Sequence, residues 1–425
     1  MIFVERDPES RLIHLQLIFR TGHLADPKEK AGLANFTARS LLRGTRGKSF
    51  SRLQLAIEEL GGTLDAEVDS TLSVIRGTVL ATHYSRFVDL ILEIFTESSF
   101  DEQEIANLRR QIQGEMQTAL QDSRVISARA MMQLAYAGNA LERPTIGVWK
   151  DVERLSGLDA KAFYEAQYTR GGLLAGITGP LPVEEMKQGI TRIASALPAT
   201  DAAVAPCLPS PSLRGRRATV VDRKEMATTP LFIAIAGVAD SDPDLLALEV
   251  GNHVFGEDFT SRLMQVLRAE NGWTYGAYSA FDQLIAPKAE PALFSIYTFP
   301  STQYFAEAVR RSLELLERYA QTGITASDLR AARSALGNRY PFALDTAEKR
   351  LSARLREHLT GRKFRSWPQY RTELDALRLE QVNEAITRRT VLSPLAISAV
   401  GNADQLKSVL TPLVESVDIV DIGET

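Results

Sequence analysis

Leu173-Leu-Ala-Gly-Ile-Thr-Gly179 and Leu395-Ala-Ile-Ser-Ala-Val-Gly401 are apolar runs that each end in glycine. Each run follows an amphipathic segment and a short polar turn. The amphipathic segments are Leu155-Ser-Gly-Leu-Asp-Ala-Lys-Ala-Phe-Tyr164 and Leu377-Arg-Leu-Glu-Gln-Val-Asn-Glu-Ala-Ile386, and the two copies align without a gap. Apolar positions at helical spacing predict a helix, and the short apolar run after it predicts a buried strand. One unit is therefore written twice in this chain.

Earlier segments repeat in the same order. Residues 15–22, followed by Asp26-Pro27, resemble residues 231–237, followed by Asp242-Pro243. Each half then carries a helix, a glycine turn and alternating strands, and later restarts a helix at a capping-box pattern. The two boxes are Ser99-x-x-Glu102 and Thr325-x-x-Asp328. The shared order of elements indicates a duplication of the whole unit.

A proline-rich stretch, residues 197–217, separates the copies. It contains four prolines among alanine and serine and has no apolar period, a composition typical of a linker. We therefore predict a first domain at residues 1–197, a linker at 198–217 and a second domain at 218–425. Each domain has the usual size of a single folding unit.

The pattern within a copy predicts the fold class. Residues 53–60 have apolar side chains at the i, i+3, i+4, i+7 spacing of an amphipathic helix, which Gly61-Gly62 ends. Residues 63–70 and 71–79 then alternate like half-buried strands. Strands with polar connections favour antiparallel pairing, and one-sided helices favour an α+β layer. We predict two homologous α+β domains, each an antiparallel sheet covered by helices, related by an approximate twofold axis.

Composition and charge exclude several function classes. The net charge of −4 and the pI near 5.9 leave no basic footprint for nucleic acid. No apolar run approaches the roughly 18 residues needed to cross a bilayer, and the single cysteine, Cys207, allows no intrachain disulfide. Met1-Ile-Phe-Val4 leads straight into strand-like sequence without a charged or apolar leader. We expect a cytoplasmic protein or, if a leader was removed, a bacterial periplasmic one.

Segments in both halves resemble a known family. Phe19-Arg-Thr-Gly22, Asp26-Pro27 and Lys30-Ala-Gly-Leu-Ala-Asn-Phe-Thr-Ala-Arg-Ser-Leu-Leu-Arg-Gly-Thr45 are similar to the opening of the M16 (pitrilysin-type) metallopeptidases, which include the mitochondrial processing peptidase. There a strand ended by glycine leads to a helix with the inverted zinc motif H-x-x-E-H. Phe259-Thr-Ser-Arg-Leu263 and Leu267-Arg-Ala-Glu-Asn-Gly-Trp-Thr-Tyr-Gly-Ala-Tyr278 resemble the signature of the family's second domain. The resemblance covers nearly the whole chain and implies the LuxS/MPP-like metallohydrolase fold.

The zinc motif itself is replaced. The resemblance implies two histidines one helical turn apart that bind zinc, and a glutamate between them that activates the metal-bound water. Asn35, Ala38 and Arg39 stand at these positions. A catalytic zinc needs three protein ligands, and a fixed guanidinium repels a cation. We therefore expect this chain to bind no metal or other cofactor.

Glu115 stands about where the family places its third zinc ligand. It is either a remnant of that ligand that pairs with Arg39, or an ordinary exposed glutamate on a helix. The rarity of buried unpaired glutamate favours the second interpretation.

No other residues suggest a metal site or a nucleophile. The five histidines lack the spacing of helix ligands, and surface or capping positions are the simpler interpretation. Cys207 lies among prolines with no histidine nearby, which is unlike an activated thiol. The basic stretch at residues 349–365 is interleaved with leucines at helical spacing, and we interpret it as a solvated face over a core stripe.

The resemblance assigns a role to Arg268 and Tyr275. In the family, an arginine and a tyrosine at this separation hold the substrate carbonyl and the oxyanion that forms on it. Such donors stabilise the transition state more than the ground state. Gly272 predicts that a helix ends between them, with Arg268 in its last turn and Tyr275 starting a strand. The alternative is a surface arginine favoured near a helix C-terminus and a tyrosine on a strand face.

Two functions compete. In the first, the chain is inactive alone and is the zinc-free subunit of a heterodimeric M16-type metallopeptidase. It then supplies Arg268 and Tyr275 to a zinc-bearing partner of the same fold, and a peptide is the substrate. In the second, it is a structural or assembly protein derived from that fold, like the family members found in respiratory complexes. The retained arginine and tyrosine favour the first, because a scaffold does not need them.

Overall fold

The computed structural model describes residues 1–200, 208–282 and 291–422. In the first half of the chain, five strands form one sheet. They are β1 (Ile2–Arg6), β2 (Leu12–Phe19), β3 (Thr63–Val68), β4 (Ser73–Leu80) and β5 (Leu173–Gly179). Their order across the sheet is β1-β5-β2-β4-β3. The interior strand β5, between β1 and β2, is buried along its whole length, which explains its continuous apolar sequence.

Helices of the first half cover this sheet and form its hydrophobic core with β2 and β4. They are α1 (Leu33–Leu41), α2 (Phe50–Glu59), α3 (Tyr84–Glu97), α4 (Glu102–Ala119), α5 (Ser123–Ala135), α6 (Trp149–Val152), α7 (Gly157–Gln167) and α8 (Val183–Ala196). Among them, α5 does not join the core of its own half.

Within residues 208–282 and 291–422, six strands form the second sheet. They are β6 (Arg216–Asp222), β7 (Leu231–Ala236), β8 (Ala277–Phe281), β9 (Leu293–Thr298), β10 (Leu395–Gly401) and β11 (Ser416–Val420). Their order is β11-β6-β10-β7-β9-β8. An edge strand, β11, is thus added to an arrangement that otherwise follows the first sheet.

The helices of the second half, except the one at residues 347–360, form a second core with this sheet. They are α9 (Leu245–Asn252), α10 (Arg262–Met264), α11 (Phe305–Thr322), α12 (Ala326–Arg339), α13 (Ala347–Thr360), α14 (Trp367–Ala376), α15 (Leu379–Arg389) and α16 (Ala403–Leu410). Two π-helical segments, His253–Glu257 and Gln265–Glu270, continue α9 and α10.

The apolar runs Leu173–Gly179 and Leu395–Gly401 occupy matching places in the two sheets. β5 lies between β1, to which it is parallel, and β2, to which it is antiparallel. β10 lies in the same way between β6 and β7. The predicted α+β architecture of two domains is therefore confirmed. The sheets are mixed rather than wholly antiparallel, because β1 and β5 are joined through the whole domain, and a long connection permits parallel pairing.

Of the two predicted capping boxes, only the second is formed. Thr325 N donates to the Asp328 carboxylate at 2.9 Å, and Asp328 N donates to the Thr325 hydroxyl at 3.2 Å. At the first, Ser99 does not cap the helix, because α4 begins at Glu102 and Asp101 is the residue just before it. The Asp101 carboxylate accepts two backbone N–H groups of the first turn, at 3.0 and 3.1 Å.

The predicted linker contains a part that packs. Residues 201–207, with Cys207, lie outside the described residues. Leu208 is buried, and Ser212 N donates to the carbonyl of Ala135 at the end of α5, at 2.7 Å. β6 begins at Arg216, ahead of the boundary predicted at residue 218. The end of the linker therefore contacts the first domain.

One helix of each domain packs on the sheet of the other domain. α5 packs on β10, β6 and β7, and Ser127 Oγ on α5 lies 3.1 Å from Ser398 Oγ on β10. In return, α13 packs on β5 and β1. A Cβ atom added to Gly176 on β5 would lie 2.6 Å from Leu355 Cδ1 on α13, so glycine makes room for this leucine. Packed helices, and not the linker alone, hold the two domains together.

This exchange corrects the interpretation of the basic stretch. Its leucine stripe at residues 351–359 is buried, but against the sheet of the first domain. Several of the arginines form ion pairs instead of a solvated face. Arg350 Nε donates to the Glu5 carboxylate at 2.7 Å, and Arg362 Nη1 donates to Asp240 at 3.1 Å. The spacing of the leucines predicts an apolar face, but it does not identify the surface that covers it.

Candidate functional site

α1 carries the replaced zinc motif, and a buried carboxylate anchors its N-terminus. Asp26 accepts the backbone N–H groups of Gly32 and Ala34, each at 2.7 Å. Gly32 has a φ of 97°, a left-handed conformation that glycine adopts readily. Burial raises the pKa of Asp26 to about 7, although the two N–H groups oppose the rise. These bonds fix the end of the helix from which the motif projects.

The Arg39 guanidinium and the Glu115 carboxylate form a bidentate ion pair between α1 and α4. Nη1 lies 2.8 Å from Oε2, and Nη2 lies 2.7 Å from Oε1. The Gln111 side chain also donates to Glu115, at 2.9 Å. The hydrogen bond from Arg39 is the main cause that lowers the pKa of Glu115. Of the two interpretations of Glu115, the geometry supports the partner of Arg39.

The residues at this place do not fit zinc. Ala38 is fully buried and offers only a methyl group, and the buried Asn35 Oδ1 has no hydrogen-bond partner in the described part of the chain. Arg39 occupies the space beside Glu115, and its charge repels a cation. Throughout residues 1–200, 208–282 and 291–422, no group of three or more histidine, cysteine, aspartate or glutamate side chains could hold a metal ion.

Two histidines are buried, contrary to the expectation of surface or capping positions. His23 Nδ1 lies 3.1 Å from the Thr145 hydroxyl, and burial lowers the pKa of His23 to about 4. His253 Nδ1 lies 3.8 Å from the Glu257 carboxylate, and burial also lowers the pKa of His253. A single histidine gives no periodic signal of burial, which is why the sequence did not predict it.

Arg268 lies in the last turn of the helix formed by α10 and residues Gln265–Glu270, as predicted. Gly272 follows with a φ of 66°. The Arg268 Cζ atom lies 4.2 Å from the centre of the Phe259 ring, a cation–π contact. Its buried Nη1 donates to no acceptor among the described residues. This guanidinium therefore differs from the carboxylate-paired Arg39.

Tyr275 is presented at the surface, with 80% of the residue exposed. It does not start a strand, because β8 begins only at Ala277 and Tyr275 lies in the turn before it. Thr274 holds this turn. Its hydroxyl donates to the Gly276 carbonyl at 2.9 Å and accepts the Gly276 N–H at 3.2 Å. A fixed turn therefore carries an exposed phenol.

The structure divides the predicted site residues into two groups. Asn35, Ala38 and Arg39 lie on α1 in the first domain, where Arg39 meets Glu115. Arg268 and Tyr275 lie on the second domain. In the first group, Arg39 pairs with Glu115. In the second, Arg268 Nη1 has no acceptor within the described part of the chain, and Tyr275 is exposed.

Two contacts in the second domain were not predicted from the sequence. Phe259 belongs to the quoted signature, but no role was assigned to it. The Glu257–Arg339 ion pair, at 2.6 Å, also went unpredicted. An aromatic residue between Asp258 and Thr260, in an otherwise polar turn, was the available signal for Phe259.

The fold and the site define a class of protein: chains of two α+β domains in which an arginine–glutamate ion pair joins α1 to α4 of the first domain. Residues 1–148 match the family described as "Insulinase (Peptidase family M16)", and residues 154–336 match "Peptidase M16 inactive domain". The chain belongs to peptidase family M16.

Similar proteins span nearly the same length. The chain is 21% identical over 410 residues to an uncharacterized zinc protease of Bacillus subtilis, covering 96% of this chain and 97% of that protein. It is 23% identical over 394 residues to mitochondrial-processing peptidase subunit beta of Homo sapiens, covering 91% and 79%. The solved peptidase M16 inactive domain from Pseudomonas fluorescens superposes with a TM-score of 0.85 at 20% identity, covering 95% of each chain. Among the described residues, no helix is both long and apolar enough to cross a membrane.

Proposed function

We propose that this chain is the zinc-free subunit of a heteromeric M16 peptidase. In this proposal it contributes Arg268 and Tyr275, which bind the substrate carbonyl and the oxyanion that forms from it. The partner is a zinc-bearing subunit of the same family, and the substrate is a peptide. The chain alone cleaves nothing.

The Arg39–Glu115 ion pair is the observation that carries this proposal. It fills the space between α1 and α4, and the two side chains satisfy each other in bidentate geometry. The buried methyl of Ala38 leaves no general base there. At this place the first domain therefore offers no group to activate water, and in this proposal the assembly uses a water activated by the partner. The partner's zinc would supply that activated water.

Arg268 and Tyr275 are suited to negative charge. Nη1 of Arg268 is buried, and none of residues 1–200, 208–282 and 291–422 supplies an acceptor for it, an unfavourable arrangement unless a bound molecule supplies one. Tyr275 exposes its phenol on a fixed turn. A carbonyl oxygen that gains negative charge accepts hydrogen bonds from such donors more strongly in the transition state than in the ground state.

The relatives support an assembly of more than one chain. The human relative is, by its name, subunit beta of a peptidase. The Bacillus subtilis relative is named a zinc protease, and it has almost the same length as this chain. A zinc-bearing chain of this size would be the partner that the proposal requires.

Reconstitution tests the proposal. Each chain alone and an equimolar mixture with a homologue that carries H-x-x-E-H are incubated with fluorogenic peptides. We expect cleavage by the mixture well above the sum of the separate chains. Arg268→Ala should lower turnover without changing assembly in size-exclusion chromatography. Arg330→Ala, at an exposed arginine on α12, is the matched control and should leave turnover unchanged.

A structural or assembly role is the second candidate. The exchange of α5 and α13 favours it, because this packing unites the domains without any need for chemistry. If the mixed complex forms and cleaves equally well with the natural chain and with Arg268→Ala, the arginine has no catalytic role. The scaffold function would then be the better conclusion.

A further inference from the structure

We infer that Phe259 is a positioning residue for Arg268, holding the guanidinium so that its N–H groups stay free for substrate. This inference rests on the proposed function of Arg268 and adds a residue to the same site. Phe259 precedes α10, and Arg268 follows α10 in the next turns of helix, so the two side chains meet across one short element.

The contact uses the flat face of the ring. The Arg268 Cζ atom lies 4.2 Å from the ring centre, within the range of a cation–π interaction. Phe259 is 63% exposed, so its ring lies at the surface instead of in the hydrophobic core. The ring is therefore in a position to support the guanidinium at the border between the protein and solvent.

The turn that carries Phe259 is fixed on both sides. The Asp258 carboxylate accepts the backbone N–H of Thr260 at 2.9 Å and its hydroxyl at 2.8 Å. Ser261 N donates to the Asp258 carbonyl at 3.0 Å. The backbone hydrogen bond from Thr260 is the main cause that lowers the pKa of Asp258, which keeps this carboxylate ionised and bonded. A fixed turn limits the positions open to the ring.

The type of partner explains why a ring is used. Two other arginines of this chain meet carboxylates: Arg39 pairs with Glu115, and Arg262 pairs with Asp328 at 2.7 Å. A carboxylate takes up the N–H groups and cancels the charge. An aromatic face attracts the cation through its quadrupole and leaves the N–H groups at the edge unused. Arg268, whose Nη1 has no acceptor among the described residues, has the second kind of partner.

Substitution of Phe259 in the reconstituted mixture tests the inference. Phe259→Leu keeps an apolar side chain but removes the ring, and kcat should fall about two- to fivefold, the range for a cation–π contact at an exposed site. KM should stay unchanged, because the oxyanion contact forms in the transition state. Phe259→Tyr keeps the ring and should restore kcat. Phe342→Leu, at a phenylalanine 68% exposed elsewhere in the second domain, is the matched control.

A double-mutant cycle with Arg268→Ala separates the outcomes. We expect Phe259→Leu to have no further effect once Arg268 is alanine. An unchanged kcat for Phe259→Leu beside a lowered kcat for Arg268→Ala would overturn this inference alone. Additive effects would also overturn it, since Phe259 would then act without Arg268. An unchanged kcat for Arg268→Ala would instead overturn the proposed function itself.

Discussion

Arg39 on α1 and Glu115 on α4 are joined by two hydrogen bonds of 2.8 and 2.7 Å, at the positions where the family resemblance predicts a replaced zinc motif. The second domain has a related pair. Glu257, in the π-helical continuation of α9, lies 2.6 Å from Arg339 at the end of α12. α1 and α9 follow β2 and β7, and α4 and α12 follow α3 and α11. Each ion pair therefore joins helices at corresponding places in the order of elements, with the charges exchanged.

The purified chain is expected to hold far less than one zinc ion after dialysis. Asn35 and Arg39 offer no ligands of the kind that zinc prefers, and the guanidinium already occupies the carboxylate of Glu115. Metal analysis by mass spectrometry checks this. A tightly held zinc in equal amount to the chain would contradict it.

The matched gain-of-metal variant carries Asn35→His together with Arg39→His. The two imidazoles then lie one helical turn apart and free Glu115 as a third ligand, so zinc binding should appear. Hydrolysis should remain slow, because Ala38 still provides no base for the metal-bound water.

The Arg39–Glu115 pair should stabilise the fold modestly and in a pH-dependent way. The pKa of Glu115 is lowered in the folded protein. Glu115 therefore contributes stability above its unfolded pKa, near 4.3, and this stability is lost as the pH falls through the lower pKa of the folded state. Arg39→Gln should lower the free energy of unfolding by about 0.5–1 kcal/mol at neutral pH, because the Glu115 side chain is 41% exposed to screening solvent.

Urea unfolding of Arg39→Gln, Glu115→Gln and the double variant measures this coupling. The coupling should shrink as the pH is lowered below about 4, where the carboxylate takes up a proton. The exposed pair Arg192–Asp89, treated in the same way, is the control and should show a smaller coupling. Equal coupling for both pairs would mean that the bidentate geometry adds nothing.

The fold could be predicted further from the sequence than the site could. The repeated sequence pattern placed β5 and β10 correctly, because a buried strand between two turns leaves a strong apolar signal. The sheet on which α13 packs could not be predicted. Its leucines require an apolar partner surface, but the sheet of either domain satisfies that requirement equally well.

The site shows the same limit. Asn35, Ala38 and Arg39 were identified through the resemblance to the family's zinc motif, yet the partner of Arg39 depended on how α1 and α4 pack. Two interpretations of Glu115 therefore remained open until the distance was known. The contact of Phe259 with Arg268 could not be predicted, because a cation–π contact leaves no periodic pattern in the sequence.

His23→Gln should reduce the sensitivity of the fold to acid. Burial, with a smaller contribution from the charge of Arg143, lowers the pKa of His23 to about 4, whereas the unfolded value is 6.5. Between these pH values the unfolded chain binds a proton that the folded chain does not, so stability is lost as the pH falls, by at most about 1.4 kcal/mol per pH unit. Asp26, with its pKa raised to about 7, contributes the opposite slope over an overlapping range.

Urea unfolding between about pH 4 and 7 measures the slope. The loss of stability on acidification should be smaller in His23→Gln than in the natural chain. His83→Gln, at a partly exposed histidine, should leave the slope unchanged. An identical slope in all three proteins would show that His23 is protonated in the folded state as readily as in the unfolded one.

Leu355→Ala should uncouple the two domains. Leu355 is 1% exposed and packs into the space above Gly176 on the other domain's sheet. Loss of such a side chain typically lowers stability by about 2–5 kcal/mol. Because the contact crosses between domains, scanning calorimetry should show a lower Tm and a broadened or divided transition. Leu158→Ala, at a leucine 77% exposed, should change little, and an unaltered Leu355→Ala transition would mean that α13 adds nothing to the coupling.

Tyr275→Phe should lower turnover of the reconstituted peptidase roughly 100- to 1000-fold, the usual effect of removing one oxyanion donor. The substitution removes only the hydroxyl, and Tyr275 is 80% exposed, so neither stability nor assembly should change. The measurement is kcat at saturating peptide, with the amount of complex determined by size-exclusion chromatography. Tyr278→Phe removes the same group from a tyrosine 40% exposed on the adjacent β8 and should leave kcat within about twofold, since less than 0.5 kcal/mol of transition-state stabilisation is then involved. If Tyr275→Phe keeps the same kcat as Tyr278→Phe and the natural chain, Tyr275 is an ordinary surface residue. Arg268 would then have to stabilise the oxyanion without it.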